Sequence, residues 1–144
     1  MLKHTLISLL LGASLSMSAC LAAAAELVVI VSARSPVMTL RAEQVADIFL
    51  SEVATFPDGR EACAIDLRVG SPLRDEFYAK VAKRSPALMK AYWTKMIFTG
   101  RGQPPRELPN SVEVRRLVAE NPGMIGYIER GALDSSVRTV LVVH

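Results

Sequence analysis

Cysteine and histidine are the scarcest reactive residues in this sequence, two of each in 144 residues. Cys20 lies in an apolar leader, which leaves Cys63 alone in the remainder, so no intramolecular disulfide forms and stability has to come from packing. His4 and His144 sit at the two ends. Without a Cys/His cluster, and with carboxylates scattered over helix faces, there is no metal site to read. No glycine-rich dinucleotide fingerprint and no P-loop occur, so no cofactor is expected. Charge of one sign is lacking too. Setting Lys3 aside with the leader leaves 16 of the 17 basic residues against 14 acidic ones, a surplus too small to argue for nucleic acid or anionic lipid. No apolar run reaches the roughly 20 residues that a membrane-spanning helix needs.

What is present begins with a charged, apolar, small-residue order. Met1-Leu2-Lys3-His4 precedes an apolar stretch from Leu6 to about Leu15 and then Ala22-Ala23-Ala24-Ala25. This is the layout of a secretory signal peptide over residues 1–25, cleaved after Ala25, with a periplasmic product of 119 residues forming one domain over 26–144. Ser18-Ala19-Cys20 offers a lipoprotein cleavage site as the alternative. Met17 at its leading position and the short tether beyond Cys20 argue for the first reading.

Beyond Glu26 the pattern alternates strand and helix. LVVIV is apolar on both faces, as a strand covered on both sides requires. Thr39 is in place to cap a helix carrying Val45, Ile48 and Phe49, and the strand Ala62 to Arg68 follows, with Cys63 expected as a small buried hydrophobe. Ser71-Pro72 and Ser85-Pro86 each read as N-cap and first helical residue. The first of these helices carries Leu73, Phe77 and Val81; the second carries Leu88, Met89, Trp93, Met96 and Ile97. The aromatics, Phe98 included, fall mainly at core spacing. Thr99 to Pro109, TGRGQPPRELP, has too much glycine and proline for regular structure. Asn110 with Glu113 starts another helix, Asn121-Pro122-Gly123 stops it, and Met124 to Ile128 and Val137 to Val142 complete the strands. The fold class expected is α/β, a mixed or mostly parallel sheet with helices on both faces.

The corner Gly70-Ser71-Pro72, where a strand runs into a charged helix, carries the chemistry. Ser71 occupies the position of an α/β-hydrolase nucleophile, but Leu73 stands where that motif needs glycine and no histidine is near in sequence. An enzyme is therefore not expected. Two readings remain open from the residues alone. Exposed amides, the Ser71 hydroxyl, and Arg68 and Arg74 within a turn suit an anion. Alternatively Ser71 spends its oxygen as a plain cap, and Asp75 and Glu76 oppose an incoming anion.

Two stretches add a resemblance. Gln44 to Leu50, QVADIFL, resembles the LADIFLG helix, and Pro122 to Tyr127, PGMIGY, resembles the PGAIGY segment, of the phosphate-binding proteins of bacterial phosphate ABC transporters. The whole chain from Glu26 resembles a short, single-lobe branch of that family. The resemblance implies one lobe of a type 2 periplasmic-binding-protein fold and a non-enzymatic solute-binding role. Its implied ligand is phosphate or a similar oxyanion, and its implied partner an ABC permease, or a second copy completing the cleft. The family's phosphate motif, Arg-Ser-Asp-Gly-Ser-Gly-Thr, aligns with Leu67 to Leu73. Gly70 and Ser71 match its centre, while Pro72 replaces a glycine, Leu73 a threonine, and Leu67 the arginine. The nearest arginine, Arg68, shares a strand face with Asp66 as its possible partner. Ser32 and Ser35, at the end of the first strand, are expected to line the same edge of the sheet. The implied anion set is thus Gly70, Ser71, Leu73, Arg74, Arg68, Ser32 and Ser35. An envelope interaction module that keeps the fold without the ligand is the alternative function.

Overall fold

A computed structural model describes residues 26–144; the expected signal peptide and its cleavage site, and Cys20, lie outside the described residues. Five strands form one sheet in the order β3-β2-β4-β1-β5. β1 (Leu27–Ser32) is buried at every position because it lies inside the sheet, antiparallel to β4 (Met124–Glu129) on one side and to β5 (Val137–Val143) on the other. β2 (Cys63–Leu67) runs parallel to β4 and to the edge strand β3 (Arg106–Leu108). The sheet is therefore mixed, with β1 alone running against the other four.

Alternation along β4 assigns the two layers. A Cβ built on Gly126 would meet Val114 and Val118 of α4 (Ser111–Glu120). The next residue, Tyr127, stacks on Phe77 of α2 (Pro72–Val81) at 3.9 Å and 5°, and lies 5.8 Å from Phe49 of α1 (Ala42–Phe49). Successive strand side chains point to opposite faces, so α4 covers one face and α1 and α2 the other. The observed class is the expected α/β sandwich with helices on both sides.

The close approach at Gly126 gives a direct test. An added Cβ would lie 2.6 Å from Val114 Cγ1 and 3.2 Å from Val118 Cγ2, both on buried, stiff β-branched side chains. Gly126→Ala should destabilise the protein by about 1–3 kcal/mol, the usual cost of overpacking a core. Urea denaturation measures it, and an unchanged midpoint would mean that α4 yields freely.

Four local expectations need correction. Thr39 is not the cap of α1. Leu40 N–H donates to Val140 O at 3.0 Å, which holds the chain extended along β5 until Arg41, where Gln44 Oε1 accepts from the Arg41 N–H at 2.9 Å. Cys63 is exposed, because β2 begins there at the sheet end, before the covering helices. Within Thr99 to Pro109, residues Arg106–Leu108 do form a strand. It is three residues long, with Pro104 and Pro105 before it and Pro109 after it, an edge position that prolines tolerate. Finally, α3 (Pro86–Phe98) buries only Met89 and Trp93. Leu88 and Ile97 are exposed, and Phe98 is 92% exposed at the end of the helix.

Candidate functional site

Gly70 closes β2 with φ +91°, a conformation that favours glycine, and Ser71 N–H donates to Arg68 O at 3.0 Å to complete the turn. Ser71 Oγ then accepts from Arg74 N–H at 3.5 Å as the cap of α2. This bond is long. The hydroxyl proton of Ser71 donates to no group among the described residues, and the amides of Gly70 and Leu73 likewise carry no hydrogen bond there.

A second helix start lies opposite. Asn110 caps α4 by accepting from Glu113 N–H at 2.9 Å, and Ser111 Oγ accepts from Glu129 N–H at 3.1 Å. Leu67, Ser71, Leu73, Asn110, Ser111 and Glu129 enclose a cleft of about 280 Å³ between the two helix N-termini. Both macrodipoles favour negative charge there, while the Glu129 carboxyl, the one charged group lining the cleft, opposes it.

Arg74 faces elsewhere. Its guanidinium is buried, 3.6 Å from Asp66 through Nε and 3.0 Å from Glu107 Oε1 through Nη1. Glu107 Oε1 also accepts from Val69 N–H at 2.7 Å. Asp66 accepts from Tyr78 OH at 2.6 Å, from Leu67 N–H at 2.8 Å, and from Tyr127 OH. Burial pushes the Asp66 carboxyl up, against the pull of the two tyrosine hydroxyls and Arg74. The same burial, together with the Asp66 charge, raises both tyrosine hydroxyls far above their ordinary range.

The sequence-predicted residues therefore separate into three places. Gly70, Ser71 and Leu73 stay together at the corner. Arg74 is spent on two carboxylates, and Arg68 is exposed with no ion pair among the described residues. Arg68 does not pair with Asp66, the alternative its strand position offered: Asp66 is turned under α2, where Tyr78 and Arg74 reach it, while β2 ends at Leu67. Ser32 and Ser35 do not share the edge. β1 opposes β4, and β4 parallels β2, so the end of β1 lies a full strand length from Gly70, roughly 17–20 Å for six residues. Their hydroxyls are occupied locally. Ser32 Oγ donates to Ala119 O at 2.9 Å, and Ser35 Oγ accepts from Val37 N–H at 3.2 Å. Two contributors escaped sequence reasoning. Glu107 lies in the segment read as irregular, and the start of α4 is separated from Ser71 by 40 residues, with no local signal linking them.

No protein-family model matches the chain, and no curated protein sequence does. Solved structures do. A protein assigned as a phosphate ABC transporter substrate-binding protein from Clostridium perfringens, solved with bound phosphate, matches with a TM-score of 0.64 at 22% identity. An ABC-type phosphate transport receptor from Vibrio cholerae matches at 0.63 and 18%, and PstS from Borrelia burgdorferi at 0.59 and 15%. This chain shares their fold. Each match covers 80% of this chain but only 44%, 45% and 46% of the other in turn, so the chain spans less than half the length of these proteins.

Proposed function

We propose that the chain is a non-enzymatic, exported solute-binding domain that holds phosphate or a similar oxyanion weakly in the cleft between the starts of α2 and α4. The observation that carries this is the convergence of two helix N-termini on one cleft, with the Ser71 hydroxyl and the Gly70 and Leu73 amides uncommitted. The fold shared with a protein solved with bound phosphate supports the choice of ligand class. Arg68, exposed beside the corner, is the cation available at the rim. A base for hydrolysis is remote: His144 follows β5, three strand spacings or about 14 Å from β2. Export rests on the leader, and among the described residues no helix is long and apolar enough to cross a membrane. The partner of such a domain is an ABC permease or a second copy that covers the open side of the cleft.

Ser71→Asp tests the site. Aspartate caps a helix as well as serine, so the fold is retained, while its charge repels an oxyanion at hydrogen-bond distance. Calorimetric titration with phosphate should show saturable heat for the wild type and none for the variant. Binding that survives in Ser71→Asp places the ligand elsewhere.

One observation favours a second reading, an interaction module that has lost its ligand. The buried guanidinium nearest the corner, Arg74, is neutralised by Asp66 and Glu107, and so no buried cation faces the cleft. Absence of any heat with phosphate or sulfate in the wild type decides for that reading.

A further inference from the structure

On the other side of Gly70 from the cleft, a carboxylate of the chain itself is bound as a foreign anion would be. Glu107 Oε1 takes one charge-assisted bond from Arg74 Nη1 at 3.0 Å and one from the Val69 N–H at 2.7 Å. A buried arginine and a backbone amide at a strand-to-helix corner form a donor pair suited to a carboxylate or phosphate oxygen. Asp66 orients the guanidinium from below, and its own position is fixed by Tyr78 and Tyr127. Glu107, in contrast, reaches the pair from β3, a three-residue edge strand held by β2 on one side only, and its side chain is 42% exposed. Arg74 is built into the core and the Val69 amide into the exposed corner, while the acceptor is lent by a three-residue edge strand.

We propose that Glu107 is an intramolecular competitor that closes a latent oxyanion site made by Arg74 and the Val69 amide, distinct from the Ser71 cleft. A cavity of about 570 Å³, lined by Arg74 and Glu107 together with Met89, Trp93 and Ile97 among others, adjoins this pair and gives an incoming anion room to approach. With Glu107 in place, an entering anion meets a like charge on the very donors it needs, so the occupied corner excludes inorganic phosphate. Removing that charge with Glu107→Gln leaves a neutral amide oxygen that an anion can displace, and Glu107→Ala vacates the donors outright. The inference goes beyond the Ser71 reading and does not require it.

The test compares inorganic phosphate binding by the wild-type chain with Glu107→Gln and Glu107→Ala, using amide and arginine side-chain NMR shifts. Each variant should bind phosphate on the order of tenfold more tightly than the wild type, as the loss of one like charge at hydrogen-bond distance implies. The Val69 amide and the Arg74 Nε–H should move on titration. Arg74→Gln in the Glu107→Gln background should abolish the gain while circular dichroism confirms a folded chain; if that double variant unfolds, the shift map of Glu107→Gln alone decides. Unchanged affinity in both Glu107 variants, or a gain with shifts confined to Ser71 and Leu73, overturns the proposal. Failure of the Ser71 reading is separately visible, as wild-type protein that binds no phosphate while Glu107→Gln does.

Discussion

Replacing Asp66 with alanine is expected to lower the stability of the protein by about 3–5 kcal/mol, the range for removing one partner of a buried charged network. The carboxylate is the acceptor for two buried phenol hydroxyls, Tyr78 and Tyr127, and for the Leu67 amide, and it neutralises part of the Arg74 charge. Alanine leaves the two hydroxyls without their acceptor, each at a cost of about 1–3 kcal/mol, and opens a small void beside them. Arg74 keeps Glu107, which limits the loss. Asp66→Asn is milder, because the amide oxygen still accepts from one tyrosine. It also removes a pH dependence. Burial holds the folded-state Asp66 pKa above the unfolded value, so the stability that comes from this shift is fully present below about pH 4 and is lost as pH rises through the higher folded value, while the hydrogen bonds to the two tyrosines remain. Asn at position 66, uncharged throughout, should flatten the stability curve across that window. Equilibrium unfolding as a function of pH checks both variants.

The second large effect is at Phe77. Its ring is stacked on Tyr127 at 3.9 Å, meets Phe49 edge-on at 4.8 Å and Tyr78 at 5.1 Å, and has no exposed surface. Phe77→Ala should cost about 3–5 kcal/mol through lost transfer energy and the cavity left behind. Because Phe77 and Asp66 both act through Tyr127 and Tyr78, the double variant should lose less than the two single losses combined. Additive losses would show that the aromatic stack and the polar network beneath α2 are independent.

The same residues explain what was legible in the sequence. The strand and helix identities came from periodicity and capping chemistry, and these are local: Ser71-Pro72, Ser85-Pro86 and Asn110 each cap the helix expected of them. Thr39 misled because its place is set by a hydrogen bond from Leu40 to β5, a hundred residues away. Chain direction within the sheet is equally non-local. Placing Ser32 and Ser35 beside Ser71 assumed that β1 and β2 run the same way, and pairing partners fix that direction, not the composition of either strand. The corner itself was legible, since Gly70 and Ser71 are a turn and a cap by residue type. The fate of Arg74 was not. Its partners, Asp66 and Glu107, come from the end of β2 and from a strand too short to show any periodicity.

If phosphate binds in the cleft as proposed, the geometry at Ser71 makes that binding weak. The Ser71 hydroxyl and the Leu73 amide line the cleft without a buried cation, and Glu129 lines it too. An anion held on one side by a few hydrogen bonds remains partly in water, where each bond gains little. The dissociation constant expected is on the order of 1 mM, some 4 kcal/mol weaker than micromolar binding. The most direct measurement is a phosphate titration of the isotope-labelled protein followed by backbone amide NMR. Shifts at Gly70, Ser71 and Leu73 should saturate together at about 1 mM phosphate and vanish in Ser71→Asp; no shift at those three amides, or saturation at micromolar phosphate, would contradict binding at this corner.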